Sequence, residues 1–145
     1  MPSDDNNMLV VRRIFEQVVN GRDFAAVDEL IAPDYVAHSA VLGDVRGVES
    51  FKRGFQAFID PCPDFNATLE DLFAAGDKVT ARVTYRGTDT GGMFGQAPTG
   101  NAFTMGALYV FRLADRKVHE LWQEVDRLGL MQQLGAIPSP SWTNR

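Results

Sequence analysis

The chain has one cysteine, Cys62, and two histidines, His38 and His119, among its 145 residues. An intrachain disulfide is excluded, and no Cys/His cluster stands at metal-ligand spacing, so no metal site is expected. Cys62, in "PCPD", has no basic or imidazole neighbour in sequence and reads as a loop thiol, not a nucleophile. Cations are also scarce: 14 Lys and Arg face 19 Asp and Glu, for a formal charge of -5, and they are scattered. A protein that tracks nucleic-acid phosphates needs clustered basic side chains, so a nucleic-acid partner is not expected. No apolar run approaches membrane-spanning length, and "MPSDDNNMLVVRR" lacks the basic-then-apolar order of a secretory signal. A cytoplasmic protein without membrane contact is the expectation. Repeats, low-complexity tracts and linkers are missing too, which leaves a single domain over residues 1–145 with its core at about 8–135.

What is present is a chain of ordinary globular composition, 45% hydrophobic and 23% charged, that changes period halfway along. From Asp5 to Asn20, Met8, Val11, Phe15 and Val18 recur every three or four residues, with Val10 and Ile14 widening the stripe; this predicts an amphipathic helix. Gly21 is expected to end it in the left-handed conformation, and Asp23 to cap a second helix carrying Phe24, Val27, Leu30 and Ile31. Pro33 should break that helix before a short extended "DYVAHS". A third helix, from near Gly47, puts Val48, Phe51, Phe55 and Phe58 on one side and stops at "DPCP".

After Asp64 the pattern alternates. "KVTARVTYRG" sets Val79, Ala81, Val83 and Tyr85 against Thr80, Arg82, Thr84 and Arg86, the mark of a strand with two unlike faces. "AAGDK" and "LADRK" read as hairpin turns, and four long strands in succession imply a curved, mainly antiparallel sheet. "TGGMFGQAPTGN" is a structured loop between the middle strands; without a strand before and a helix after, its glycines do not make a phosphate cradle. "RLGLMQQLG" returns briefly to helix. Helices followed by a meander define an α+β fold, and helices laid on one face of a bent sheet enclose a pocket.

"GQAPTGNAFTMGALYVFRLADRKVHELWQEVDRLGLMQQLG", together with "RRIFEQVVNGRDFAAVDELIAPDYVAHS" and "RGVESFKRGFQAF", resembles the SnoaL-like polyketide cyclases, from about Met8 to Gly135. The resemblance implies the nuclear-transport-factor-like fold: a cone-shaped α+β barrel with three N-terminal helices on the curved sheet, commonly a homodimer through the outer sheet face. It implies a hydrophobic small-molecule ligand and no cofactor. In that family a buried aspartate on the last strand serves as base and acid in an intramolecular aldol closure. Proton abstraction next to a carbonyl needs a carboxylate whose pKa is raised by an apolar pocket, beside a donor that polarises the carbonyl.

This chain departs from that pattern at the decisive positions, because the aspartate position falls on Gln123 and a nearby histidine position on Tyr109. An amide cannot carry the proton, although Gln123 can orient a carbonyl and Tyr109 can donate to a developing oxyanion. Phe103, Met105, Ala107, Tyr109 and Phe111 form the most apolar face of one strand, which is expected to share a face with His119, Leu121, Gln123 and Val125. That register needs an odd-residue turn at "ADRK"; a two-residue turn would swap the faces and bring Glu120 and Glu124 inward. The first is preferred because bulges accompany such turns. His38 can reach the pocket mouth as a base, or be a half-exposed strand-end histidine. Tyr35, Phe55, Phe58, Met105, Phe103 and Leu121 are candidate ligand contacts, with Met93 and Phe94 as a flap over the mouth. Three functions stay open: a cofactor-independent cyclase or isomerase acting on a hydrophobic carbonyl compound, a non-catalytic binder of a small apolar ligand, and a scaffold whose pocket is filled by its own side chains. A carboxylate or imidazole facing the cavity would separate the first two.

Overall fold

The structure is a computed structural model that describes residues 2–39 and 43–139. Helix α1 (Pro2–Arg13) runs on as a π-helical stretch, Ile14–Asn20, whose Ile14, Phe15, Val18 and Val19 are buried. The expected apolar stripe is therefore the one that packs. The chain leaves the helix differently from expectation. Gly21 has φ −82°, and the left-handed residue is Arg22, φ 58°. Gly21 is required for closeness: a Cβ there would lie 2.5 Å from the Gln17 carbonyl oxygen. Arg22 is held by its guanidinium, which donates to the carbonyls of Val19, Pro63 (2.9 Å) and Phe65 (2.8 Å). Asp23 does not cap the next helix; its carboxylate accepts from Gln17 Nε2 at 2.7 Å.

A single 3-10 turn, Phe24–Ala26, leads into α2 (Val27–Leu30), and the chain is already extended at Ile31. Pro33 therefore does not break the helix. It lies inside strand β1 (Ile31–Ser39), where the pairing to β6 is interrupted between Ile31 and Val36 and no ladder hydrogen bond is demanded of it. After β2 (Gly43–Arg46) comes α3 (Val48–Ile59), which faces inward with Phe51 and Phe55. Strands β3 (Asn66–Ala75), β4 (Lys78–Thr88), β5 (Ala102–Ala114) and β6 (Lys117–Val125) form the meander, and α4 (Arg127–Gln133) closes the described chain.

The six strands form one curved sheet in the order β2-β1-β6-β5-β4-β3, with β1 parallel to β6 and every other pair antiparallel. Helices cover one face, so the α+β class stands. Alternation along β4 and β5 is realised directly: Val79, Ala81, Val83, Tyr85, Met105, Tyr109 and Phe111 are buried, while Arg82 pairs outside with Asp71 at 2.6 Å.

The β5–β6 turn decides which face Gln123 takes. Asp115 and Arg116 both have positive φ and form a two-residue turn, with Ala114 opposite Lys117 and Leu113 opposite Val118. That turn alone would turn Gln123 outward. A bulge intervenes, because Arg112 next pairs with Glu120 and His119 is left over. Beyond it Phe111 faces Leu121 and Tyr109 faces Gln123, so the preferred register holds, by a bulge and not by an odd-residue turn. Val118, expected outside, is buried; His119, expected on the Gln123 face, occupies the bulge with Nδ1 2.8 Å from Asp34 Oδ1.

Candidate functional site

Between the helices and the sheet lies a cavity of about 130 Å³. Its walls are aromatic: Phe15 from the π-helical stretch, Phe51, Phe55 and Phe58 from α3, Phe65, and Phe111 from β5. All three tyrosines of the chain meet there as well, Tyr35 from β1, Tyr85 from β4 and Tyr109 from β5. They arrive from different strands because each occupies an inward position of its alternation. Gln123 on β6 and Arg127 at the start of α4 complete the polar part of the lining, with Ser50, whose hydroxyl is already engaged with the Gly47 carbonyl at 2.7 Å.

The phenols are neutral donors near pH 7. Burial pushes Tyr109 up to about 12, against the hydrogen bond with Tyr85 and the nearby positive charge of Arg127, which favour its ionised form. Burial raises Tyr85 well above the usual phenol range, and Tyr109 raises it further. Tyr35 is also raised, by burial first and then by Tyr109. The Tyr85 and Tyr109 hydroxyl oxygens are 2.6 Å apart. Either hydroxyl can be the donor in this bond, and whichever accepts keeps its own proton for another partner. Tyr35, Gln123 and Arg127 have no hydrogen-bond or ion-pair partner among the described residues, which leaves their polar atoms open to a ligand.

The structure assembles Gln123, Tyr109, Tyr35, Phe55, Phe58, Met105 and Leu121 around this space, and leaves out His38, Met93 and Phe103. His38 lies on the outer sheet face, stacked on Trp122 at 5.4 Å between ring centroids. Its Nδ1 is 2.7 Å from Asp44 Oδ1 and its Nε2 2.6 Å from Glu120 Oε2. These bonds, Asp44 first and Glu120 second, raise its pKa, while His38 and Arg112 hold the Glu120 carboxyl low. His38 is thus part of an outer charge cluster and cannot act on a ligand in the cavity. It sits outside because β1 puts Tyr35 and Ala37 inward, so their neighbour in the alternation faces the other way.

Phe103 is excluded because its ring fills the space over Gly87, where an added Cβ would come within 2.9 Å of it, and packs towards Phe65. Met93 is buried under the loop and does not cover the mouth; its neighbour Phe94 is 45% exposed and meets Phe58 edge-on at 6.0 Å. Cys62 is buried, its thiol pushed up to about 11 by burial and then by the charges of Asp89 and Asp64, which suits a packed thiol. Arg127 and Phe15 went unnoticed as site residues in the sequence. Phe15 could have been found from its place on the apolar stripe, but nothing local marks Arg127. Among the described residues no group of three or more potential ligands could hold a metal, and no helix is long and apolar enough to cross a membrane.

A helix-covered, strongly curved sheet with an aromatic hollow defines the class: an α+β barrel built around a small-molecule-sized pocket. The SnoaL-like polyketide cyclase profile matches residues 9–134, and the chain belongs to that family. Aklanonic acid methyl ester cyclase AcmA from Streptomyces galilaeus is 30% identical over 138 residues, covering 93% of this chain and 94% of that protein. TsrD from Streptomyces laurentii superposes with a TM-score of 0.81 at 28% identity, over 92% of this chain and 97% of that one. IdmH from Streptomyces antibioticus superposes with a TM-score of 0.77 at 31% identity, over 89% and 98%.

Proposed function

We propose that the cavity binds a hydrophobic, carbonyl-bearing small molecule and promotes a cofactor-independent ring closure or isomerisation of it. The single observation that carries this reading is the set of unpartnered polar groups, Tyr35 and Gln123 foremost, around an aromatic hollow beside the Tyr85–Tyr109 pair. Convergent donors in an apolar pocket hold an oxygen where negative charge develops. In an aldol closure the α-carbon loses a proton, the enolate carbon bonds to a second carbonyl carbon, and the resulting alkoxide takes up a proton. No carboxylate or imidazole among the described residues lines this cavity, so both protons exchange with water at the mouth, and the chain's own contribution is to stabilise the oxyanion through Tyr109.

One observation favours the second reading, a binder without turnover: Gln123 occupies the position that the family resemblance gives to the acid and base, and it faces the cavity. Two substitutions decide between them on a panel of aromatic ketones. Tyr109→Phe is expected to weaken binding about tenfold, one hydrogen bond's worth, and to lower any turnover about a hundredfold. Activity that emerges only in Gln123→Asp, with none in the unaltered protein, would establish the binder. A Tyr109→Phe variant that binds and reacts normally would remove the role assigned to the Tyr109 hydroxyl.

We also propose a homodimer through the outer sheet face. One cross-strand row there runs Phe73, Thr80, Val110, Trp122, His38, Asp44, and Leu108 lies in the next outward row between Arg82 and Glu124. Phe73 is 59%, Leu108 53% and Trp122 36% exposed, large apolar side chains on one sheet face of the kind that an interface covers. Sedimentation velocity should show a dimer, and Leu108→Glu should weaken it roughly 30-fold, the effect of losing one central contact.

A further inference from the structure

Arg127 is a cation without a counter-ion in an acidic protein. The chain carries 19 carboxylate side chains, yet none pairs with Arg127 among the described residues. The nearest acids in sequence are turned to other work. Asp126 accepts from the Gly129 amide at 2.9 Å and caps α4, and Glu124 points outward on β6. Arg53 and Arg116 also lack a partner of opposite charge among the described residues but stand exposed in water, where solvation satisfies them. Arg127 is only partly exposed, lines the cavity, and is close enough for its charge to favour the ionised form of the Tyr109 phenol. No other charged side chain among the described residues lines that space.

From this arrangement we infer that the ligand is an anion, a planar carboxylate on an aromatic or polyketide-like body, with the carboxylate held by Arg127 at the mouth and the carbonyl end reaching Tyr109 and Gln123. The inference rests on the pocket reading given above and adds the charge of the ligand to it. A guanidinium matches a carboxylate by two parallel N–H···O bonds, and the low polarity of the surrounding phenyl rings strengthens the pair. The remaining polar groups agree in sign: Tyr35 and Tyr109 carry O–H donors and Gln123 an N–H donor, whereas no carboxylate among the described residues lines the space to repel an anion. The hollow of about 130 Å³ accepts the ring, and the charged group lies where Arg127 meets solvent.

The test uses the full chain with 3-acetylbenzoate and its methyl ester, two probes of nearly equal shape that differ in charge, titrated by calorimetry at low ionic strength. The acid should bind about tenfold tighter than the ester, as expected for one charge-assisted pair at a partly screened site, and added salt should narrow the gap. In Arg127→Gln the two should bind within about twofold of each other, and Arg127→Lys should restore part of the preference. If the ester binds the unaltered protein as well as the acid does, the anion inference is overturned while the pocket reading survives. If neither probe binds, and neither shifts the melting temperature, the pocket reading fails and takes this inference with it. Should Arg127→Gln fail to fold, the acid-to-ester ratio and its salt dependence in the unaltered protein still decide.

Discussion

Asp89→Ala should lower the free energy of unfolding at pH 7 by about 3 kcal/mol, a fall in melting temperature of roughly 10 °C for a chain of this size. Asp89 is 2% exposed, and its two carboxylate oxygens accept four hydrogen bonds, from the amides of Gly92, Met93 and Thr99 and the hydroxyl of Thr99. Its backbone joins the two ends of the same loop, through Asn101 at 3.0 Å and Gly100 at 2.8 Å. Alanine leaves those donors facing an emptied, largely buried site. Asparagine keeps an oxygen acceptor and should lose about half as much.

The pH dependence follows from the same contacts. Burial opposes ionisation of Asp89, but the bonds from Thr99, Gly92 and Met93 outweigh it and hold the carboxyl below the ordinary value of 3.8. A depressed carboxyl contributes stability that is fully present above the unfolded-state pKa and is lost as pH falls through the folded-state one. The difference between the parent and Asp89→Ala should therefore be large at pH 7 and shrink below about pH 4. Urea titrations at both pH values check this. A loss under about 1 kcal/mol at pH 7 would mean that the loop is anchored by something else.

Phe15→Ala should cost about 4 kcal/mol, the usual toll of emptying a buried aromatic site. Phe15 is 1% exposed, and its ring lies 5.6 Å from that of Tyr109, 6.1 Å from Phe111 and 6.4 Å from Phe55, so it ties the first helix to both sheet and third helix. It also lines the cavity, which makes the substitution informative twice over. The present hollow of about 130 Å³ has room for a single ring. Removing the phenyl group should enlarge it enough for two-ring ketones, whose binding then returns part of the lost stability by mass action. Thermal melts with and without a naphthyl ketone provide the measurement. A variant that loses stability but gains no affinity for the larger ligand would show that the site collapses when emptied.

Most of the scaffold was legible because local patterns are strong where one face is buried. The stripe from Met8 to Val18 and the alternation from Val79 to Tyr85 and from Phe103 to Phe111 say which side faces the core, and the structure buries those sides. Residues whose role depends on several strands at once were not legible. Tyr85 stood on the apolar face of its strand, yet only sheet pairing puts its hydroxyl 2.6 Å from that of Tyr109. The sequence leaves His38 either a base at the mouth or a half-exposed strand-end histidine, and the parallel pairing of β1 with β6 places it against Trp122 and Glu120 on the outside.

By itself the sequence determined the α+β order and the inward faces of the long strands, since periodicity is a local property, and it puts an amide at Gln123 where the family resemblance implies an acid. Tertiary structure alone decided that Gln123 turns into the cavity, through one surplus residue at the His119 bulge, and that Arg127 lines it without a counter-ion among the described residues. A strand has period two, so a single bulge inverts every side chain beyond it, and whether a charge is paired depends on neighbours brought from distant parts of the chain.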